Sequence, residues 1–306
     1  MRAYRGRNAV VVVDDDGLVT DAPVDAAEVV DAAYVGPGIV DAHVHLAFGT
    51  VEQMWQRGVV AMRDLGAPPA LAASVRSEGV AVAGPLLTAP GGYPSRSWGA
   101  DGFAAFVADA EEARRVVRDL DVDLVKVALE PHGGPVPDAE TVAAIVDAAH
   151  ARGLAVTAHA LTERMVERAL DAGVDELCHT PAEPLTPRTV ERIADAGIPV
   201  VSTIQCLGGA AAANAKALHE AGVRLVYGTD LGNDGTRPGV DVRELRRLAD
   251  TGLGMAGALA AATRPIVTGE RAGLVLLDAN PEADPTTWER PFTTVVGTTR
   301  YSSAGS

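Results

Sequence analysis

Cysteine is close to absent: Cys178 and Cys206 are the only two in 306 residues. Two such residues supply no disulfide framework, so packing must hold the chain, and a reducing, cytoplasmic setting is expected. Both are read as small buried apolar residues. Cations are scarce as well, 26 Lys and Arg against 41 Asp and Glu, for a formal net charge of −15. A phosphate-backbone partner needs clustered Lys and Arg, so nucleic acid is excluded as a partner. No apolar run approaches membrane-spanning length, which argues against a membrane partner. The run Ala9 to Val13 is too short for a signal peptide and passes directly into Asp14, Asp15 and Asp16.

What remains is a globular composition, 47% hydrophobic and 22% charged, with length for one large domain or a barrel plus an appendage. From Pro37 a rhythm begins: a Val-rich stretch, a loop, then an Ala-rich segment with helical spacing. The apolar stretches fall at 39–43, 59–63, 86–89, 124–128, 154–158, 174–177, 198–203 and 223–227. Helices are predicted over 109–119, 139–151, 162–172, 186–196 and 210–221, and Gly153, Gly173, Gly197 and Gly222 stand where helices should stop. This alternation predicts an α/β fold, a (β/α)8 TIM barrel over residues 37–266. A doubly wound open sheet is the competing topology, but it gives no reason for polar residues to recur at so many strand ends. Residues 1–36 and 267–306 carry short strand-like runs, expected to pair into a small, reduced β-sandwich. The tail from Ser302 to Ser306 is small and polar and expected to fray.

In such a barrel the chemistry sits at the C-terminal strand ends. His43 and His45, one residue apart on the first strand, point the same way. Lys126 follows on the fourth strand, His159 on the fifth, His179 on the sixth and Asp230 on the eighth. Four imidazoles and a carboxylate are a first-row metal ligand set. Lys126 admits two readings. Its ammonium has no lone pair for a metal, so it either escapes into the barrel mouth or pairs with Asp230, or it captures carbon dioxide. The resulting carbamate is an anion able to bridge two cations.

Together these residues resemble the amidohydrolase superfamily, in its binuclear branch with a carboxylated lysine, closest to imidazolonepropionase-like and prolidase-like members. The resemblance rests on Pro37-Gly38-Ile39-Val40-Asp41-Ala42-His43-Val44-His45, on 58–66, on Asp123-Leu124-Val125-Lys126-Val127, on 149–160, on 173–179 and on Tyr227-Gly228-Thr229-Asp230. It implies that His43, His45 and Asp230 bind the more buried of two divalent ions, that His159 and His179 bind the other, and that carboxylated Lys126 bridges them. Zinc is the foremost candidate, and manganese, iron or cobalt accept the same donors. The resemblance further implies a metal-bridging hydroxide that attacks a substrate carbonyl, with Asp230 as general base and then general acid.

Weaker candidates for substrate contact are His132 above Lys126, Tyr93 and Arg96 in a Gly-rich loop that could act as a lid, and Gln205 and Arg237 near the last strand ends. Arg63 beside Asp64 is read as a structural ion pair. The expected activity is hydrolysis of a carbon–nitrogen amide bond in a small molecule: a cyclic amide, an N-acyl amino acid or a dipeptide-like compound. A lactonase or ester hydrolase on the same site is the nearest alternative, and a non-catalytic metal-binding barrel is the alternative from another class. The loops over the site are short compared with relatives, which leaves room for a homo-oligomer whose partner subunit covers what they expose.

Overall fold

The computed structural model describes residues 1–302, so the tail 303–306 lies outside the described residues. Seven parallel strands form the larger sheet, in the order 104–106, Leu86–Thr88, Val125–Leu129, Val156–Ala160, Glu176–Leu177, Val200–Val201 and Leu225–Val226. A smaller parallel sheet holds Ile39–Val44, Val59–Asp64 and Val80–Val82. Ala42 N–H donates to the Tyr227 carbonyl at 3.0 Å, and Asp123 N–H donates to the Val82 carbonyl at 2.9 Å. The small sheet is thus joined to the large one on both sides. The fold is α/β with a parallel sheet, consistent with a TIM-barrel-like arrangement.

Each predicted helix forms within a residue or two of its expected ends, because its caps are local. Asp138 accepts from Thr141 N–H to start Ala139–His150, and Thr162 accepts from Met165 N–H to start Glu163–Ala172. Gly173 and Gly197 close their helices at φ 78 and 67, a conformation side chains with a Cβ resist. Among the helices not anticipated are Pro69–Val75 and Val242–Leu248; in the latter, buried Val242, Leu245 and Leu248 recur at intervals of three. It runs into a π-helical turn and Gly252, and this interruption hides the helical period.

The terminal segments form two four-stranded sheets, one from 2–5, 10–13, 19–20 and 28–31, the other from 34–37, 273–277, 293–296 and 299–301. Tyr4, Val11, Val35, Leu274, Leu276 and Val295 share one apolar cluster separate from the main core. The apolar run over 28–35 is split between two strands in different sheets, divided at Ala32 and Ala33 where the chain crosses between them.

Candidate metal centre

Strand pairing fixes the vertical positions of the site residues. Lys126 lies opposite Thr157, and His159 lies opposite Ala128 two residues further along the strands. The same parallel ladder continues to Glu176 and Leu177, after which His179 emerges at the strand end. Asp41 ties the first and eighth strand ends together. Its buried carboxyl accepts from His43 N–H (3.1 Å), Thr229 N–H (3.1 Å) and Thr229 Oγ1 (2.6 Å), and burial pushes it up to about 7.

All six predicted strand-end residues are buried and converge. Asp230 Oδ1 lies 3.2 Å from His43 Nε2 and 3.4 Å from His45 Nε2. His159 Nδ1 lies 3.0 Å from His179 Nε2, and Lys126 Nζ lies 3.5 Å from His43 Nε2. One donor atom from each of His43, His45 and Asp230 falls within 4.8 Å of the other two, a group able to hold a metal ion; His43, Cys178 and His179 form a second such group. Asp230 adopts φ 51 and Thr203 φ 42, left-handed conformations that non-glycine residues enter mainly where surrounding structure enforces them. For Asp230 the enforcing bond is visible, its N–H donating to the His43 carbonyl at 2.8 Å.

Each imidazole is engaged on one nitrogen from outside the cluster. His43 Nδ1 faces the Cys178 carbonyl at 2.8 Å, and His45 Nδ1 faces the Gly66 carbonyl at 3.2 Å. His159 Nε2 faces Glu130 Oε2 at 3.2 Å, and His179 Nδ1 faces Thr203 Oγ1 at 3.1 Å. Such outer partners fix the ring and leave the opposite nitrogen's lone pair turned inward, as metal-binding histidines require. Burial holds His43, His159 and His179 below the ordinary histidine range, which keeps their lone pairs free. Burial also acts to raise Asp230, but the surrounding imidazoles outweigh it and hold the carboxyl well below the usual carboxylate range.

Lys126 is 1% exposed, so its head does not escape into the mouth. Asp230 pairs with histidines and not with it. A buried ammonium without a carboxylate is costly, and Lys126 Nζ meets His43 Nε2 at 3.5 Å instead. The donor set therefore fits a divalent metal ion.

Above the cluster lies a cavity of about 160 Å³. Of the weaker candidates, Tyr93 lines it and the others do not. His132 and Arg96 are exposed. Gln205 accepts from Arg247 Nε at 3.3 Å, and Arg237 lies on a separate cleft with Arg57 and Arg290. The expected Arg63–Asp64 pair is not formed. Neighbouring strand residues point to opposite faces, so Arg63 instead meets Glu176 at 2.7 and 2.9 Å, while Asp64 accepts from Leu46 and Gly66 N–H groups. Sequence reasoning missed Glu130 and Thr203. Glu130 could have been found, as a carboxylate directly after the fourth strand. The carbonyls of Cys178 and Gly66 carry no side-chain signal at all.

Comparison with known proteins gives three findings. A model of the amidohydrolase family matches residues 34–265. An uncharacterized protein of Mycobacterium tuberculosis is 30% identical over 191 residues, covering 54% of this chain and 50% of that protein; the chain thus spans about half the length of the curated relatives it matches. Among solved structures, a putative prolidase from Bifidobacterium longum superposes with a TM-score of 0.79 at 22% identity, covering 96% of this chain and 90% of that one. A Xaa-Pro dipeptidase with methionine bound in its active site gives 0.79 at 18% identity, covering 98% of each.

Proposed function

The chain belongs to the amidohydrolase family, and from that premise we propose that it is a metal-dependent hydrolase of a carbon–nitrogen amide bond in a small molecule. The observation that carries this reading is the convergence of four outer-anchored imidazoles, one carboxylate and one buried lysine without a carboxylate partner beneath a single cavity. His43, His45 and Asp230 would hold one divalent ion and His159 and His179 the other, with Lys126, carboxylated by carbon dioxide, between them. When bound, such a pair supplies Lewis acidity and an activated water.

The residues of the chain have three tasks. Cys178 O, Gly66 O, Glu130 and Thr203 orient the rings, so that little reorganisation is left for the reaction. Asp230, ionised and facing the cavity, takes a proton from the attacking water and delivers it to the leaving nitrogen. Phe48, Tyr93 and Trp98, which line the cavity, restrict bulk water around the scissile bond. Overall, water's oxygen ends on the acyl carbon, the carbon–nitrogen bond breaks, and the nitrogen leaves protonated. We read the parallel strands as a closed (β/α)8 barrel and the two terminal sheets as the reduced β-sandwich beside it.

The test is a substrate panel of amides, lactones and aminopyrimidines, presented to protein loaded with zinc or manganese. Amide turnover above lactone turnover supports the reading. Lactone turnover alone would replace it with an ester hydrolase, and aminopyrimidine turnover with a deaminase.

A further inference from the structure

Arg63 stands at the centre of a hydrogen-bond network one step back along the strands from the candidate ligands. Its Nε donates to the Ala42 carbonyl at 3.0 Å, and its Nη2 donates to both carboxylate oxygens of Glu176 at 2.7 and 2.9 Å. Glu176 Oε1 also accepts from Thr157 Oγ1 at 2.8 Å. Ala42 directly precedes His43, Thr157 stands two residues before His159, and Glu176 stands three before His179. Three strands that end in candidate ligands thus meet in one network.

The tie to His43 is the most direct. The carbonyl before it takes the Arg63 Nε–H, and its own Nδ1 faces the carbonyl of Cys178, two residues beyond Glu176. One guanidinium therefore links the His43 backbone to the strand that anchors the His43 ring. His43 Nε2 in turn faces Asp230 Oδ1 at 3.2 Å and Lys126 Nζ at 3.5 Å. A planar fork with fixed donor directions suits this task, whereas a lysine ammonium is a single point of charge. Stability alone does not account for the pair. The Glu176 side chain is only 10% exposed, and the cost of taking such charges out of water can exceed what their attraction returns.

Arg63 and Glu176 also line a cavity of about 940 Å³, together with Asp123, Val223 and Arg224. The last three precede their strands, so this cavity lies at the N-terminal strand ends, and none of the six candidate ligands lines it. Arg63 keeps 27% of its side-chain surface exposed, so small solutes reach it without crossing the metal centre.

Resting on the metal centre of the hydrolase reading above, we propose that Arg63 is a positioning residue for that centre. Through the Ala42 carbonyl and Glu176 it fixes where His43 stands relative to the fifth and sixth strands, and so sets metal affinity. It touches neither metal nor substrate.

The test is metal binding by the full chain, read by titration against a chromophoric chelator and by the visible absorption of cobalt-loaded protein. Arg63→Lys keeps a charge near Glu176 and loses the fork. Affinity for one metal ion should fall about 10- to 100-fold in the folded variant, with a shift of the cobalt bands. Arg63→Ala should lose as much, and millimolar guanidinium should return about tenfold of it, whereas methylammonium should not. Because Arg63→Ala strands the Glu176 carboxylate, the double variant Arg63→Met with Glu176→Met is measured as well. It removes both charges, which protein interiors tolerate, and the bond to Ala42 with them, so the same loss is expected. Folded variants that bind both ions as tightly as wild type, or rescue by methylammonium equal to that by guanidinium, overturn the proposal. Weakened metal binding in the variants of a wild type that turns over no amide supports this role for Arg63 and contradicts the hydrolase reading. Unchanged metal binding in the variants of a wild type that does turn over amide has the opposite meaning, and a wild type that takes up no metal overturns both.

Discussion

Glu130 Oε2 stands 3.2 Å from His159 Nε2, which leaves His159 Nδ1 turned toward His179 Nε2 at 3.0 Å. The carboxylate sits at the end of the fourth strand and selects the ring nitrogen that faces the cluster. Burial opposes its ionisation, but hydrogen bonds from His159 and from the His132 N–H hold it below the usual carboxylate range. Glu130→Gln keeps the size and removes the charge. It should weaken binding of one of the two metal ions by about 10- to 100-fold, the usual cost of losing an outer partner. Metal titration with a chromophoric chelator reads this directly, and an unchanged affinity would remove Glu130 from the account.

Asp230 offers a sharper division between holding metal and moving protons. Asp230→Asn keeps an oxygen for a ligand role and loses the base. Turnover should fall by about 10³-fold, within the range for a lost general acid–base. Near-normal turnover in this variant would show that the proton passes through another group.

Lys126 should be modified. Protein reconstituted with metal and ¹³C-bicarbonate is expected to show a carbamate carbon resonance that Lys126→Ala lacks, and Lys126→Ala should hold less metal than wild type. A wild-type spectrum without that resonance, in fully metal-loaded protein, would return Lys126 to a plain amine.

Stability should carry the signature of a second buried carboxyl. Glu244 accepts from the N–H groups of Ile204 and Gln205 at 3.0 and 2.6 Å, yet burial pushes it from an ordinary value of 4.5 up to about 7. The folded chain thus keeps a proton that the unfolded chain has released. The stabilisation is complete below about pH 4.5 and is lost as pH rises through about 7. Glu244→Gln should flatten that part of the profile by up to about 3 kcal/mol. Urea unfolding of metal-free protein at about pH 5 and about pH 8 measures it.

How much of this was legible beforehand depended on whether a signal was local. Helix ends were readable because Asp138, Thr162, Gly173 and Gly197 act within a few residues of themselves. The six strand-end residues were readable because the period of a parallel strand aims them, and their type does the rest. Partners set by tertiary packing were not. Arg63 chose Glu176 over its neighbour Asp64, Thr203 and the Cys178 carbonyl came to the histidines from other strands, and Arg96 and His132 turned out to solvent. No spacing in the sequence encodes those distances. The terminal strands were half-legible: their apolar runs stand out, but the break at Ala32 and Ala33 depends on which sheet each half joins.

The central claim is that His43, His45, Lys126, His159, His179 and Asp230 form one centre for two metal ions. Elemental analysis of purified protein, reconstituted with zinc and bicarbonate and freed of excess metal, tests it most directly. The account predicts about two equivalents per chain, falling to about one or fewer in His159→Ala and His179→Ala variants that remain folded. A wild-type chain that retains no metal, or variants that retain as much as wild type, would contradict it.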